Sequence, residues 1–291
     1  MKELGSEEVC LALGYFDSVH LGHRKIIEKT REFAKQHNIG ACVATFCNNA
    51  YKLFNDRDKQ VYTYVERCEL LKDMCDYILP MRFDTRLKNY SAEDFLHHLF
   101  ARHRIKAVVC GYDYSFGAGA KGDAALLKSY SDANGVQCIV MPQFALDGMR
   151  VSTTQVKSLL SSGKIEQANA LLGEPFMISG KVVRGRGAGR MFDIPTANIK
   201  FNISKMLPLA GVYGTVCVVD GAEYYSATNV GARPTFGLTK PVVETMIADF
   251  NDNIYDKDIK VYFYKHLRGI EKFETPAMLS AQVHKDLEWY K

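Results

Sequence analysis

The rhythm of apolar and polar positions changes once along the chain, near residue 173. Before that point, short runs of continuous apolar residues alternate with stretches of helical period. "VCLALGY" predicts a strand, and 21–36 a helix with Ile26, Ile27, Phe33 and Ala34 on one stripe. "ACVATF" follows as a second strand, then a helical pattern through Val65, Leu70 and Leu71. "YILPMRF", "KAVVCG" and "QCIVMP" read as further strands, separated by the helical "AEDFLHHLFARH" and "AALLKSYSDA". Helical stretches near 153–162 and 165–172 close this half. Strands that are apolar at every position belong in a parallel sheet covered by helices on both faces.

Gly173 and Pro175 stop the last of these helices, and strand-like segments take over. "FMISGKVV", "GVYGTVCVVD", "YYSATNVG", "VVETMIADF" and "DIKVYFYKH" are short and bounded by Gly, Pro, Asn and Asp. In the last, Ile259, Val261 and Phe263 alternate with Lys260, Tyr262 and Tyr264, the period of a half-buried strand. Such a series predicts a small antiparallel β-barrel, with the helical "PAMLSAQVHKDLEWY" covering one opening. The expected domains are therefore 1–172, α/β with a parallel sheet, and 173–291, a barrel with a terminal helix.

Composition narrows the setting. At 291 residues, 47% apolar and 24% charged, the chain is an ordinary globular protein long enough for two cores. A net charge of +4, with both signs interspersed, is too small to mark a nucleic-acid or membrane surface. The first residues lack a secretory pattern and no apolar run approaches 18 residues, so a cytoplasmic protein is expected. Of eight cysteines, Cys10, Cys42, Cys110, Cys138 and Cys217 fall in strand-like runs, and no Cys-x-x-Cys pair points to zinc or redox work.

Candidate chemistry begins at "LGYFDSVHLGHRKII", where His20 and His23 stand three residues apart after the first strand. Spacing alone admits three readings: metal ligands, buried core groups, or phosphate donors. A metal needs three or four converging ligands, and only Asp17 is at hand locally. Gly14, Asp17 and Gly22 speak for a turn rather than a core. In an open α/β sheet, ligands bind beyond the carboxyl ends of the strands, and a helix N-terminus offers free N–H groups to phosphate. Gly22 lets the backbone approach closely.

The same residues carry a resemblance. "GYFDSVHLGH" resembles the Gly-x-Phe-Asp-Gly-x-His-x-Gly-His signature of the nucleotidyltransferase superfamily, as found in bacterial FAD synthetases. "ATF" (44–46), "GYDYSFGAGAKGD" (111–123) and "VSTTQVKSLLSSG" (151–163) are similar to later motifs of that family. "IPTANI" (194–199), "GVYG", "NVGARPTF" and "VVETMIADF" resemble, in order, the riboflavin kinase module joined to it. The resemblance is to the prokaryotic bifunctional riboflavin kinase/FAD synthetase family, and it spans essentially the whole chain.

It implies a Rossmann-like nucleotidyltransferase domain and a riboflavin kinase-like barrel. The first would join FMN to the adenylyl group of ATP with release of pyrophosphate; the second would phosphorylate riboflavin to FMN. ATP, riboflavin and FMN are the implied partners, FAD the product and Mg2+ the implied cofactor, with the chain a monomer or weak homo-oligomer. By the same resemblance, His20 and His23 act on the ATP phosphates, and Gly14, Phe16, Asp17, Gly22 and Gly111 shape the nucleotide site. Ser152, Thr153 and Lys157 bind phosphate at a helix start, and Asp113 is a magnesium candidate. In the second half, Glu244 matches the base, Thr196 and Asn198 the magnesium and phosphate positions, and Gly180 and Gly187 the nucleotide segment.

Some positions depart from the pattern. Ser18 replaces a usual glycine, "NNA" (48–50) a Pro-His-Pro triplet, and Ser115 and Gln155 commonly basic residues. These leave open a slower or degenerate adenylyltransferase beside an intact kinase, and, further off, a non-catalytic flavin- or nucleotide-binding protein. "GAGAKG" (117–122) fits Gly-x-Gly-x-x-Gly, but "YDYSF" separates it from its strand and no acidic residue ends the next one, which argues against a dehydrogenase. The length and lack of a basic patch argue against an aminoacyl-tRNA synthetase.

Overall fold

The computed structural model describes residues 1–53, 59–185, 195–231 and 241–291. These form two compact units, Met1–Thr153 and Thr154–Lys291.

In the first unit, β1 (Lys2–Glu3), β2 (Glu8–Leu13), α1 (Leu21–His37), β3 (Gly40–Phe46), α2 (Tyr64–Leu71), β4 (Tyr77–Met81), α3 (Thr85–Lys88), α4 (Ala92–Arg102), β5 (Arg104–Gly111), α5 (Ala124–Ala133) and β6 (Gln137–Met141) follow in order. A small hairpin, β7 (Ala145–Leu146) and β8 (Met149–Arg150), comes next. The six strands pair in the order β1-β4-β3-β2-β5-β6, all parallel. Val9, Leu11 and Leu13 face a core shared with Phe95, Leu96, Leu99 and Leu127. The buried stripe Ile26, Ile27, Phe33 and Ala34 seats α1 on the sheet. Burial on both faces is why β2 is apolar at nearly every position.

One helix turns a different face inward than its periodicity predicts. In α2, Val65 is 72% exposed, while Glu66, Arg67 and Leu71 are buried. A reciprocal capping box between Thr63 and Glu66 fixes the helix start, and Arg67 is drawn in by carbonyl groups described below.

The second unit continues with α6 (Thr153–Ser161, whose first residue belongs to the first unit), α7 (Ile165–Leu172), β9 (Phe176–Val183), β10 (Ala197–Lys200), β11 (Gly211–Val219), β12 (Ala222–Gly231), β13 (Val242–Ile247), β14 (Asp258–Arg268) and α8 (Pro276–Leu287). The six strands close as an antiparallel barrel, β10-β13-β12-β11-β14-β9. Asn169 ties α7 to the barrel, donating to the Phe263 carbonyl and accepting from the Phe176 N–H, both at 2.8 Å.

The barrel interior is partly polar. Thr215, Ser226, Thr228 and Thr245 are fully buried and joined by hydroxyl contacts of 2.7–2.9 Å. Each hydroxyl is thereby satisfied, which removes most of the penalty for burying it. Because side chains alternate along a strand, Ala227 and Met246 point outward, and Leu287, Leu279 and Val283 pack on them. The terminal helix thus rests on the outer wall rather than over an opening. Beyond it, Trp289 fills the space over Gly214 and donates its indole N–H to the Ser226 carbonyl at 2.9 Å.

Candidate functional site

Chain order in the parallel sheet reverses between β2 and β5, so the loops after these strands flank the switch point where such sheets bind ligands. After β2 comes Gly14, whose hydrogen a Cβ could not replace: it would lie 2.9 Å from the Phe16 ring. Phe16 and Val19 both adopt left-handed backbone, with φ of 52° and 45°. For a β-branched residue such as Val19 this is costly, and such strain concentrates where a loop is held for function.

The loop delivers His20 to the N-cap of α1, a place usually held by Ser, Thr, Asp or Asn. His20 Nδ1 accepts the His23 backbone N–H at 3.1 Å. The two imidazoles stack, centroids 3.6 Å apart, and the Phe16 ring meets His23 edge-on at 5.2 Å. Burial lowers His20 to a pKa of about 4, against small opposing effects of a backbone hydrogen bond and Asp113. Burial, with His20 alongside, holds His23 well below the ordinary histidine value. Both rings are therefore neutral at physiological pH. An acceptor at Nδ1 places the His20 proton on Nε2, leaving that nitrogen as a donor. His23 Nδ1 is buried with no hydrogen-bond partner among the described residues. Gly22 lies against His20, a Cβ there being 3.2 Å from the ring.

Asp17 is 1% exposed and braces the loop from below. Its carboxylate accepts the Val61 N–H at 2.9 Å and the Tyr51 hydroxyl at 3.1 Å, and its carbonyl accepts the Tyr62 N–H at 3.1 Å. Beside it lies a group the sequence reading missed. Arg67 is fully buried, donates to the carbonyls of Phe46 and Tyr62 and to Gln60, and sits 5.0 Å from the Tyr15 ring.

Across the switch point, Gly111 ends β5 and a Cβ there would come 3.2 Å from Asp113 Oδ1. Asp113 Oδ2 pairs with Arg150 at 2.9 Å, both half exposed, and Arg150 lies over the Tyr112 ring. Arg150 too was not foreseen; its position on the two-residue β8 carries no periodic signal. Ser152 and Thr153 stand where α6 begins, and Thr153 Oγ1 lies 3.0 Å from Ser18 Oγ. His20, Asp17, Ser18, Thr153, Asp113 and Arg150 thus belong to one unit. Lys157 lies further along α6, in the residues of the second unit.

On the barrel, Asn198 of β10 stands directly opposite Glu244 of β13, and Glu244 opposite Asn229 of β12. Residues opposite one another share a face, so three polar side chains line up on the outer wall, against Thr215, Ser226, Thr228 and Thr245 within. Thr196 precedes β10, two positions from Asn198. Gly185 lies against the Asn198 amide, where a Cβ would meet it at 2.3 Å. Gly180 allows the β10 backbone to approach, a Cβ there being 2.5 Å from the Lys200 carbonyl. Gly187, and the "ARPTF" part of "NVGARPTF", lie outside the described residues.

Comparison with known proteins finds two modules along the chain. Residues 3–155 match the FAD synthetase family model, and residues 172–291 the riboflavin kinase model. The chain is 30% identical to the bifunctional riboflavin kinase/FMN adenylyltransferase of Bacillus subtilis (strain 168), covering 95% of this chain and 89% of that one. The chain belongs to the bifunctional riboflavin kinase/FMN adenylyltransferase family. The family's enzyme from Escherichia coli (strain K12) is 30% identical, with 98% of this chain and 93% of that one covered. A crystal structure from Streptococcus pneumoniae, described as a macrolide-efflux protein, matches with a TM-score of 0.87 at 27% identity, covering 98% of this chain and 94% of that one. No helix among the described residues is long and apolar enough to cross a membrane. As a member of the family the chain is an enzyme with both modules, and the degenerate and binding-only alternatives are not favoured.

Proposed function

We propose that the chain makes FMN from riboflavin and ATP on the barrel, and FAD from FMN and ATP at the end of the parallel sheet. In the adenylyl transfer, an FMN phosphate oxygen attacks the α-phosphorus of ATP, the bond to the bridging oxygen breaks, and pyrophosphate leaves. The attacking group is already anionic, so the protein's part is positioning and stabilising charge. The observation that carries this reading is the capping geometry of His20 at the start of α1. Its capping bond leaves Nε2–H as a preorganised donor at a helix mouth, where N–H groups also favour phosphate. Gly14, Phe16, Asp17, Gly22 and Gly111 shape the loop, His23 is its second imidazole, and Ser152, Thr153 and Lys157 supply phosphate contacts. Arg150 adds a cation near Asp113.

On the barrel, Glu244 receives the proton of the riboflavin ribityl hydroxyl as that oxygen takes the γ-phosphoryl group of ATP and ADP leaves. Asn198, opposite Glu244, and the nearby Thr196 offer oxygen donors of the kind suited to Mg2+, and Asp113 is the corresponding carboxylate in the first unit. These residues would hold the ion, which would supply positive charge against the phosphates. Gly180 and Gly187 belong to the nucleotide segment of this module. We take residues 1–172 and 173–291 as the two functional domains, in a cytoplasmic monomer or weak homo-oligomer; eight free thiols support a reducing compartment.

The test is to incubate the purified chain with riboflavin, ATP and Mg2+ and separate the flavins by chromatography. FMN and FAD together are expected. FMN alone would refute the first-unit assignment, and neither product would refute both.

A further inference from the structure

Ser18 sits between the two left-handed residues of the loop and is fully buried, yet among the described residues its hydroxyl has one contact only, Thr153 Oγ1 at 3.0 Å. The two residues are 135 positions apart in sequence. The bond therefore joins the loop that carries His20 to the start of α6. Thr153 is half-buried, and its hydroxyl has no other partner among the described residues. Each hydroxyl has one proton to give, and the contact alone is compatible with either direction.

Chemistry selects the direction once phosphate is present. A phosphate oxygen accepts and does not donate. Thr153 can serve it only by giving up its own proton, and it then meets Ser18 as an acceptor. Ser18, enclosed and without other partners, has its proton free for that role. A hydroxyl that accepts one bond becomes a better donor in the next.

We propose that Ser18 is a positioning residue for adenylyl transfer: its buried hydroxyl donates to Thr153 Oγ1 and so directs the Thr153 proton to a phosphate oxygen of ATP. This rests on the reading of Thr153 as a phosphate contact. The relay couples the histidine loop to the α6 start, so that both phosphate-handling segments are set by one internal bond. Ser18 itself has no need of left-handed backbone, so alanine fits its conformation.

The experiment is a double-mutant cycle on the full chain, with Ser18→Ala, Thr153→Val and the pair. FAD formation from FMN, ATP and Mg2+ is measured as kcat and KM, and riboflavin phosphorylation by the same preparations reports on the folded barrel. S18A is expected to lower kcat for FAD about three- to tenfold, the size of one hydrogen bond, with KM for FMN unchanged. Added to T153V, S18A should cause no further loss, because the bond it removes is already gone. Ser18→Gly, which removes the same hydroxyl with a different change in volume, should match S18A. A silent S18A beside an impaired T153V overturns the relay alone. An S18A loss that persists undiminished in the T153V background, or a disagreement between S18A and S18G, also overturns it. A T153V enzyme as fast as the unmodified chain overturns the phosphate reading of Thr153 and the relay with it.

Discussion

Acid should loosen the first unit through His20, and the size of the effect follows from its surroundings. The ring is 6% exposed and uncharged, with a pKa lowered from 6.5 to about 4 by burial. In the unfolded chain it takes up a proton near its ordinary value. Between those two values the unfolded state binds more protons than the folded one, so stability rises with pH there and falls on acidification. From pH 7 to pH 5, the difference in proton uptake amounts to about 2 kcal/mol for His20 alone. His23 is displaced in the same direction and adds to the loss. For a unit of this size, about 2 kcal/mol corresponds to roughly 4–8 °C in melting temperature.

The perturbation that isolates this term is His20→Asn. Asparagine is a good N-cap, so its side-chain oxygen can still accept the His23 N–H, but it does not titrate. Calorimetry of the apo chain at pH 7 and pH 5 should show the first-unit transition of H20N falling by roughly 4–8 °C less than that of the unmodified chain. Equal falls in the two proteins would show that His20 is not held neutral by burial, and the donor role proposed for Nε2 would lose its basis.

Three further outcomes are expected. Glu244→Gln should abolish FMN formation while sparing FAD formation from supplied FMN, and His23→Ala should do the reverse; loss of both products in either variant contradicts separate sites. Arg67→Met should destabilise the first unit by about 3 kcal/mol in urea unfolding, since it removes the guanidinium bonds to the Phe46 and Tyr62 carbonyls and to Gln60 in the interior. An unchanged midpoint would mean that the penalty of burying the guanidinium offsets its bonds. Asp286→Ala should destabilise the barrel by about 3–5 kcal/mol, because Asp286 accepts two 3.2 Å bonds from Arg268 Nε and one of 2.7 Å from Nη2 between α8 and β14. A barrel transition within error of the unmodified chain would count against that ion pair as the anchor of α8.

What could be read from sequence was what period and position encode. Continuous apolar runs such as "VCLAL" have a physical meaning only in a doubly covered sheet, and the alternation from Ile259 to Phe263 only in a wall with one wet face. The strand–turn–helix context placed His20 at a helix mouth, and there it caps α1. Long-range pairing was not encoded in this way. Strand β10 is four residues, "ANIK", too short to show a period, so the sixth barrel strand read only as a motif. Arg67 looks like a solvated helix charge until the carbonyl of Phe46, 21 positions away, is brought to it. Asp113 was readable as a carboxylate after a strand, but its pairing with Arg150 across 37 positions was not.

The departures from the resembled signature bear on whether the first unit is a decayed copy. A decaying site accumulates substitutions that leave polar atoms without partners and loops without anchors. Here Asn48, Asn49 and Ser18 are engaged. The Asn48 amide donates to the Phe83 carbonyl at 2.8 Å and accepts the Phe83 N–H at 2.9 Å, as a strand residue would. Asn49 Oδ1 accepts the Tyr51 N–H at 3.1 Å, and the Tyr51 hydroxyl in turn holds Asp17 beneath the histidine loop. Ser18 closes the bond to Thr153. Asn49, through Tyr51, and Ser18 therefore support the loop that presents His20, while a histidine at position 49 would have brought a titratable ring that asparagine lacks. The expectation that follows is an adenylyltransferase altered in how it meets phosphate charge, built on a scaffold that is fully tied together.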